Sequence, residues 1–367
     1  MIDQEKLKVE WINKVSKNNR KADKILVEKV IRALLLLEGL ARQSILFVFK
    51  GGTALMLHLN SGRRLSIDID IILPKGTDMK KEWLDSVVET QGFLRWELQE
   101  RNANSSIKKE HYKFFYTPLH KTNKTEEQVL LDILFEDTHY GKLDQRPIQS
   151  PFFPSIGEDI MVDIPSTEDL LGDKLTAFAP NTTGIPYFKK EDSMSLEIIK
   201  QLYDIGTLFD ITDDMQVIKD TFRKFCTAEL AYRGSSGLTF SDVLDDIIQT
   251  SLAIVTRGQD GKANFDELQS GIQRIASFIH SENYHLEKAI TDASKAAYVA
   301  ALIEQVEGSI ERFDSPMEIK DWVIEEPMNT WLNKLKKSNP EAFYYWYKIS
   351  SVRLNFTIGK LTNHLDI

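Results

Sequence analysis

Two aspartates one residue apart, Asp68 and Asp70, stand in the run Arg64-Leu-Ser-Ile-Asp-Ile-Asp-Ile, in which polar and apolar residues alternate. Read as a strand over residues 64–73, the run places Arg64, Ser66, Asp68 and Asp70 on one face. Leu65, Ile67, Ile69 and Ile71 then share the other and must pack on a core. Two anions so close on a half-buried strand repel each other and lose hydration. A shared divalent cation removes that cost, and magnesium prefers a few carboxylates completed by phosphate oxygens and water. Metal-assisted phosphoryl transfer is the chemistry such a strand suits.

Upstream, Lys50-Gly51-Gly52-Thr53 lies between a short apolar strand (45–49) and a short helix (53–60). Glycine lets backbone amides approach a phosphate, and a helix N-terminus adds positive potential. Thr53 adds a hydroxyl. Glycine pairs also open many helices for purely structural reasons; what singles this one out is its place one helix ahead of the paired aspartates. A third acid is expected where a nucleophile is activated, and Asp132 lies inside Val129-Leu-Leu-Asp-Ile-Leu-Phe, a run of the kind buried in a sheet. An aspartate there either binds metal or is paired locally. Glu136, on the same face, is a weaker alternative.

The elements that must position these groups read as follows. Amphipathic helices are expected over residues 4–18 and 21–43, a turn at Ser61-Gly62, and a helix over 79–91. Strands are expected over 93–99, 111–118 and 128–136. Residues 141–165 carry Pro147, Pro151, Pro154 and Pro165 and read as a linker. Helices follow over 167–178 and 193–209, and the absence of proline from Tyr187 to Ser315 extends the helical pattern. The aromatic run Phe343-Tyr-Tyr-Trp-Tyr347 reads as helix packing rather than a base-stacking platform.

Composition narrows the class. The chain has 367 residues, 42% hydrophobic and 28% charged, which suits a globular protein of two domains. The longest apolar run, residues 31–40, falls short of the ~18 needed to span a bilayer. With acidic and basic residues opening the chain in place of a signal core, a cytoplasmic protein is expected. One cysteine, Cys226, excludes an internal disulfide and a cysteine-rich zinc site, and the seven histidines show no HxxxH spacing. Only a carboxylate site for a hard metal remains. A net charge of −9 argues against nonspecific coating of nucleic acid but not against gripping an RNA end through a local patch.

Together, the glycine turn, the DxD strand and the third carboxylate resemble the nucleotidyltransferase fold of the DNA polymerase β superfamily. The longer pattern Lys50-Gly-Gly-Thr-Ala-Leu-x-Leu followed by Arg64-x-Ser-x-Asp-Ile-Asp is similar to the AbiEii/AbiGii toxin family, which includes the MenT toxins. Two later motifs extend the likeness. One is Lys174 in Asp169-Leu-Leu-Gly-Asp-Lys-Leu-Thr-Ala, a lysine flanked at helical spacing by apolar residues. It either reaches a triphosphate or snorkels. The other, Lys200-Gln-Leu-Tyr-Asp204-Ile, departs from the family's Arg-Asp-x-x-Asp-Leu by carrying Lys200 and Gln201 in the first two places. Glu197, Lys200, Asp204 and Thr207 form a polar stripe that faces either a cleft or water.

The resemblance implies an α+β chain: a polymerase β-like domain with a mixed sheet over residues 1–155, then a helical domain over 156–367 completing the nucleotide cleft. It implies a magnesium-dependent toxin of a toxin–antitoxin or phage-defence system, moving nucleotides from an NTP to an acceptor, foremost the 3′ end of tRNA, and partnered by a cognate antitoxin. Asp68, Asp70 and Asp132 would hold two magnesium ions, with Lys174 and Asp204 also catalytic. Lys50, Gly51, Gly52, Thr53, Arg64, Ser66 and Lys174 would bind the nucleotide, while Arg63, Lys189 and Lys190 offer further positive charge. Two other readings are a protein or small-molecule acceptor and a non-catalytic NTP-binding module.

Overall fold

The computed structural model describes residues 1–59, 63–99, 108–120, 123–234, 237–305, 308–326 and 328–362, with side chains to residue 351. The turn expected at Ser61 and Gly62 lies outside them. Residues Met1–Ser166 with Ala276–Asn283 make one compact unit, and Thr167–Ile275 with Tyr284–Ile367 make a second.

The first unit runs α1 (Val9–Asn18), α2 (Lys24–Ala41), β1 (Val48–Lys50), α3 (Gly51–Leu59), β2 (Ile69–Leu73) and α4 (Lys81–Gln91). It continues β3 (Arg95–Leu98), β4 (Lys109–Tyr116), β5 (Glu127–Phe135), β6 (Leu143–Pro147) and β7 (Met161–Pro165). The strands form one mixed sheet in the order β3-β4-β5-β2-β1-β7-β6. Helix α2 opens on Asp23, whose carboxylate accepts from the amides of Ile25 and Leu26, satisfying two donors that have no partner within the helix. Its Leu34–Leu37 stretch is fully buried, each such side chain contributing about 1.5–3 kcal/mol. Ile12 of α1, Leu84 and Val87 of α4, and the alternating residues Ile69, Ile71, Leu131, Ile133, Tyr112 and Phe114 join the same core. The intervening residues of β5, Asp132 among them, are only half-buried.

Two expectations are corrected here. Residues 141–165 are not a linker: they hold β6 and β7, with Pro147 and Pro165 ending their strands and Pro151 and Pro154 between them. A proline at a strand end costs no ladder hydrogen bond that the sheet needs. The unit boundary accordingly falls after Ser166 rather than after residue 155. Likewise β2 begins only at Ile69, because residues 63–68 bind elsewhere. The Leu65 amide donates to the Phe278 carbonyl (2.8 Å), Arg64 bridges Ile279, and the Asp68 carbonyl accepts from Thr53.

Residues 276–283 thus return to the first unit from between two helices of the second. His280 anchors that return: it is buried, and its ring stands edge-on to Phe152 at 6.2 Å. Burial without a charged partner pushes its pKa down to about 4. Since the unfolded ring titrates near 6.5, the unfolded state binds more protons between those values. Stability from the neutral ring is therefore whole above pH ~6.5 and lost as pH falls toward 4, by up to about 3 kcal/mol. Thermal unfolding from pH 7.5 to 4.5 should show this slope, and His280→Phe should flatten it.

The second unit is helical: α5 (Thr167–Ala177), a two-stranded hairpin of β8 (Phe188–Lys189) and β9 (Asp192–Ser193), then α6 (Ser195–Phe209), α7 (Met215–Tyr232) and α8 (Phe240–Val255). It ends with α9 (Phe265–Ile275), α10 (Leu286–Glu304), α11 (Leu335–Ser338) and α12 (Pro340–Thr362). Helix α10 is buried on nearly every side, and its buried Lys295 is paired with Asp210 and Glu341. The aromatic run of α12 packs there: Trp346 donates to Ser294 Oγ (3.0 Å), and Tyr345 meets Phe209 and Tyr298. Lys189 and Lys190 lie exposed on the hairpin.

Candidate active site

The glycine pair is built into its surroundings. Gly51 ends the β1 connection with φ +82°, a conformation that disfavours side chains, and a β-carbon there would strike the Asp70 carboxylate. One on Gly52 would strike the Arg64 guanidinium and the Ser66 hydroxyl. Gly51, Gly52, Arg64, Ser66 and Asp70 are therefore drawn together around the N-terminus of α3, whose first amides have no partner within the helix. Arg64 is buried, and its Nη1 donates to the Leu65 carbonyl (3.2 Å).

Thr53 differs from expectation. Its side chain is fully buried and its hydroxyl donates to the Asp68 carbonyl at 2.7 Å. It holds the acid-bearing backbone in place instead of offering its proton to a ligand. Asp68 itself lies just ahead of β2, so strand alternation does not align it with Asp70.

Across the sheet, register makes a polar row. Lys50 of β1 pairs with Asp70 of β2, Asp70 with Asp132 of the parallel strand β5, and Asp132 with His111 of β4. Cross-strand partners share a face, so the two aspartates are immediate neighbours on the half-exposed side. Among the described residues, the chain between them spans a helix and two strands. His111 Nδ1 lies 2.6 Å from Asp132 Oδ1, and against a carboxylate that nitrogen donates. One oxygen of Asp132 is thereby fixed by a residue that sequence reasoning did not single out. Asp132 is one-third exposed, so its apolar neighbours in sequence do not bury it; they face the opposite way.

Among the described residues no three His, Cys, Asp or Glu side chains converge closely enough to hold a metal unaided. Magnesium does not require such a cage, since it usually takes one or two carboxylates and completes its shell with substrate phosphates and water. Asp70 and Asp132, side by side, with Asp68 preceding them, supply hard oxygen donors that fit this mode. The residues present suit magnesium.

In the second unit, Lys174 of α5 and Asp204 of α6 are brought together. The Lys174 ammonium lies 3.0 Å from Asp204 Oδ2 and donates to Gln201 Oε1 at 3.0 Å. Both charged side chains are under a tenth exposed. The polar stripe on α6 is thus neither wholly solvated nor open: Asp204 and Thr207 are buried, while Glu197 and Lys200 pair at 3.0 Å nearer the surface. Gln201, which departs from the family pattern, still supplies an oxygen to Lys174, neutral where that pattern carries an aspartate.

Acids in register beside a glycine-opened helix are an arrangement that nucleotidyl transfer could use. The family model described as "Nucleotidyl transferase AbiEii toxin, Type IV TA system" matches residues 35–316, and the chain belongs to that family of toxin–antitoxin nucleotidyltransferases. Such a system pairs the toxin with a cognate antitoxin. No curated protein matches the chain. Among solved structures, JHP933 from Helicobacter pylori is 18% identical, with 75% of this chain and 89% of that one covered and a TM-score of 0.39. A chain described as a "putative nucleotidyltransferase" from H. pylori is 19% identical, with 77% and 95% covered and a TM-score of 0.41. No helix among the described residues is long and apolar enough to cross a membrane.

Proposed function

We propose that this toxin transfers a nucleotidyl group from a magnesium-bound NTP to the 3′ end of tRNA, acting in the cytoplasm against its own host as a phage-defence device that its antitoxin restrains. The observation that carries the reading is the Asp70–Asp132 register beside the Gly51–Gly52 turn. The acceptor's 3′ oxygen bonds to the α-phosphorus, the bond to the β-phosphate oxygen breaks, pyrophosphate leaves, and the hydroxyl proton passes to Asp132. Bound to Asp68, Asp70 and Asp132, magnesium would neutralise charge on the reacting phosphates. The amides of the glycine turn and Ser66 orient the leaving phosphates, with the Lys50 and Arg64 charges close by. Incubating each of four α-labelled NTPs with purified tRNA, then with protein extract, with and without magnesium, tests the reading. Label should enter tRNA only with magnesium; label in protein alone would move the acceptor to another class.

In this scheme His111 positions Asp132. His111→Leu removes the donor and should lower kcat about 10–100-fold, with little change in KM for the NTP. His111→Asn, which keeps an N–H near the same place, should recover much of the loss in the same steady-state assay.

A further inference from the structure

Beyond the acid row, the same sheet face carries a cavity of about 330 Å³, a size typical of small-ligand sites. Its lining includes Val48 and Ile72, which pair across β1 and β2, and Asp163 of β7, which pairs with Val48. Val48 precedes Lys50 by two residues and Ile72 follows Asp70 by two. These side chains therefore stand on the face that bears the acids, one row further on, about 7 Å along the strands.

The two ends of this face differ in chemistry. At one lie the glycine turn, Arg64 and the start of α3, which suit phosphate. At the other the cavity is lined by apolar residues together with the acceptors Asp163, Glu136 and Asp137. Among the described residues no lysine or arginine lines it. It disfavours phosphate and suits a flat, uncharged group that presents N–H donors, which is a nucleobase.

In-line displacement decides whose base. The attacking and leaving oxygens stand on opposite sides of the phosphorus. With pyrophosphate leaving toward the glycine turn, the attacking 3′ oxygen approaches from the cavity end. We propose that the cavity seats the terminal nucleobase of the acceptor RNA, with Asp163 accepting from its amino or imino hydrogens. This rests on the RNA-directed reading above.

The test uses the full chain, labelled NTP, and short single-stranded RNAs ending in each of the four ribonucleosides. Wild type should prefer some terminal bases over others. Asp163→Asn should flatten that preference, and Val48→Phe, which fills the cavity, should raise KM for RNA about tenfold or more. Both should leave KM for the NTP unchanged, and Val48→Ile should behave as wild type. Unfolding midpoints matching wild type exclude misfolding as the cause. If Asp163→Asn and Val48→Phe keep wild-type RNA KM and base preference while Asp70→Asn is inactive, the cavity proposal is overturned and the active site stands. If Asp70→Asn also transfers normally, the active-site reading has failed first. Transfer to protein, with KM unaffected by either cavity variant, also overturns the proposal.

Discussion

Asp70→Asn should reduce nucleotide transfer on the order of 10²–10³-fold while the protein stays folded. Asp70 sits mid-row, with Lys50 on one side, Asp132 on the other and the Gly51 backbone pressed against its carboxylate. The substitution keeps side-chain shape and removes the negative charge. Losing ~3–4 kcal/mol of stabilisation at the reacting phosphate gives that factor. Because Asp70 is only half-buried and leaves the core face of β2 untouched, the unfolding midpoint should move little. Labelled-NTP transfer, growth inhibition on expression and thermal unfolding measure the three parts. Undiminished transfer by a folded Asp70→Asn protein would remove the site from this strand.

The second large effect belongs to stability. Asp204→Ala strands the Lys174 ammonium among buried helices, with only the neutral Gln201 oxygen left among the partners described above. Breaking one side of a buried pair costs about 3–5 kcal/mol, and for a unit of this size that lowers the unfolding midpoint on the order of 10 °C. Replacing both partners, Lys174→Met with Asp204→Leu, removes the uncompensated charge and should recover most of the loss. The pair of variants also separates two roles for Lys174. A stable double variant that no longer binds NTP assigns the Lys174–Asp204 pair to substrate; one that binds normally confines it to holding α5 against α6.

Much of this site could be read from the residues because its signals are local. A glycine pair, an alternating run and two acids one residue apart sit within about twenty positions, and alternation fixes their relative directions. Asp132 was reachable because an acid within an apolar run demands a reason. Its partner was not: His111 is set by the pairing of β4 with β5, and the long connection between those strands conceals the register. The only available hint was that His111 occupies a polar position in a strand whose alternate residues, Tyr112, Phe114 and Tyr116, are buried. Alternation also misled, by extending β2 back to Arg64, where a segment more than two hundred residues away supplies the hydrogen bonds. Prolines in residues 141–165 suggested a linker because their frequency was legible and their placement at strand ends was not.

That distant segment bears on how the protein is made. During synthesis the stretch that pairs with residues 63–65 reaches the ribosome exit only after most of the helical unit has emerged. A nascent polypeptide stalled or cleaved near residue 166 lacks the backbone that braces Arg64 and Leu65, next to the glycine turn. The seven strands are thus all made long before the segment that braces Arg64 and Leu65, and shorter products carry the acids of the sheet without that support.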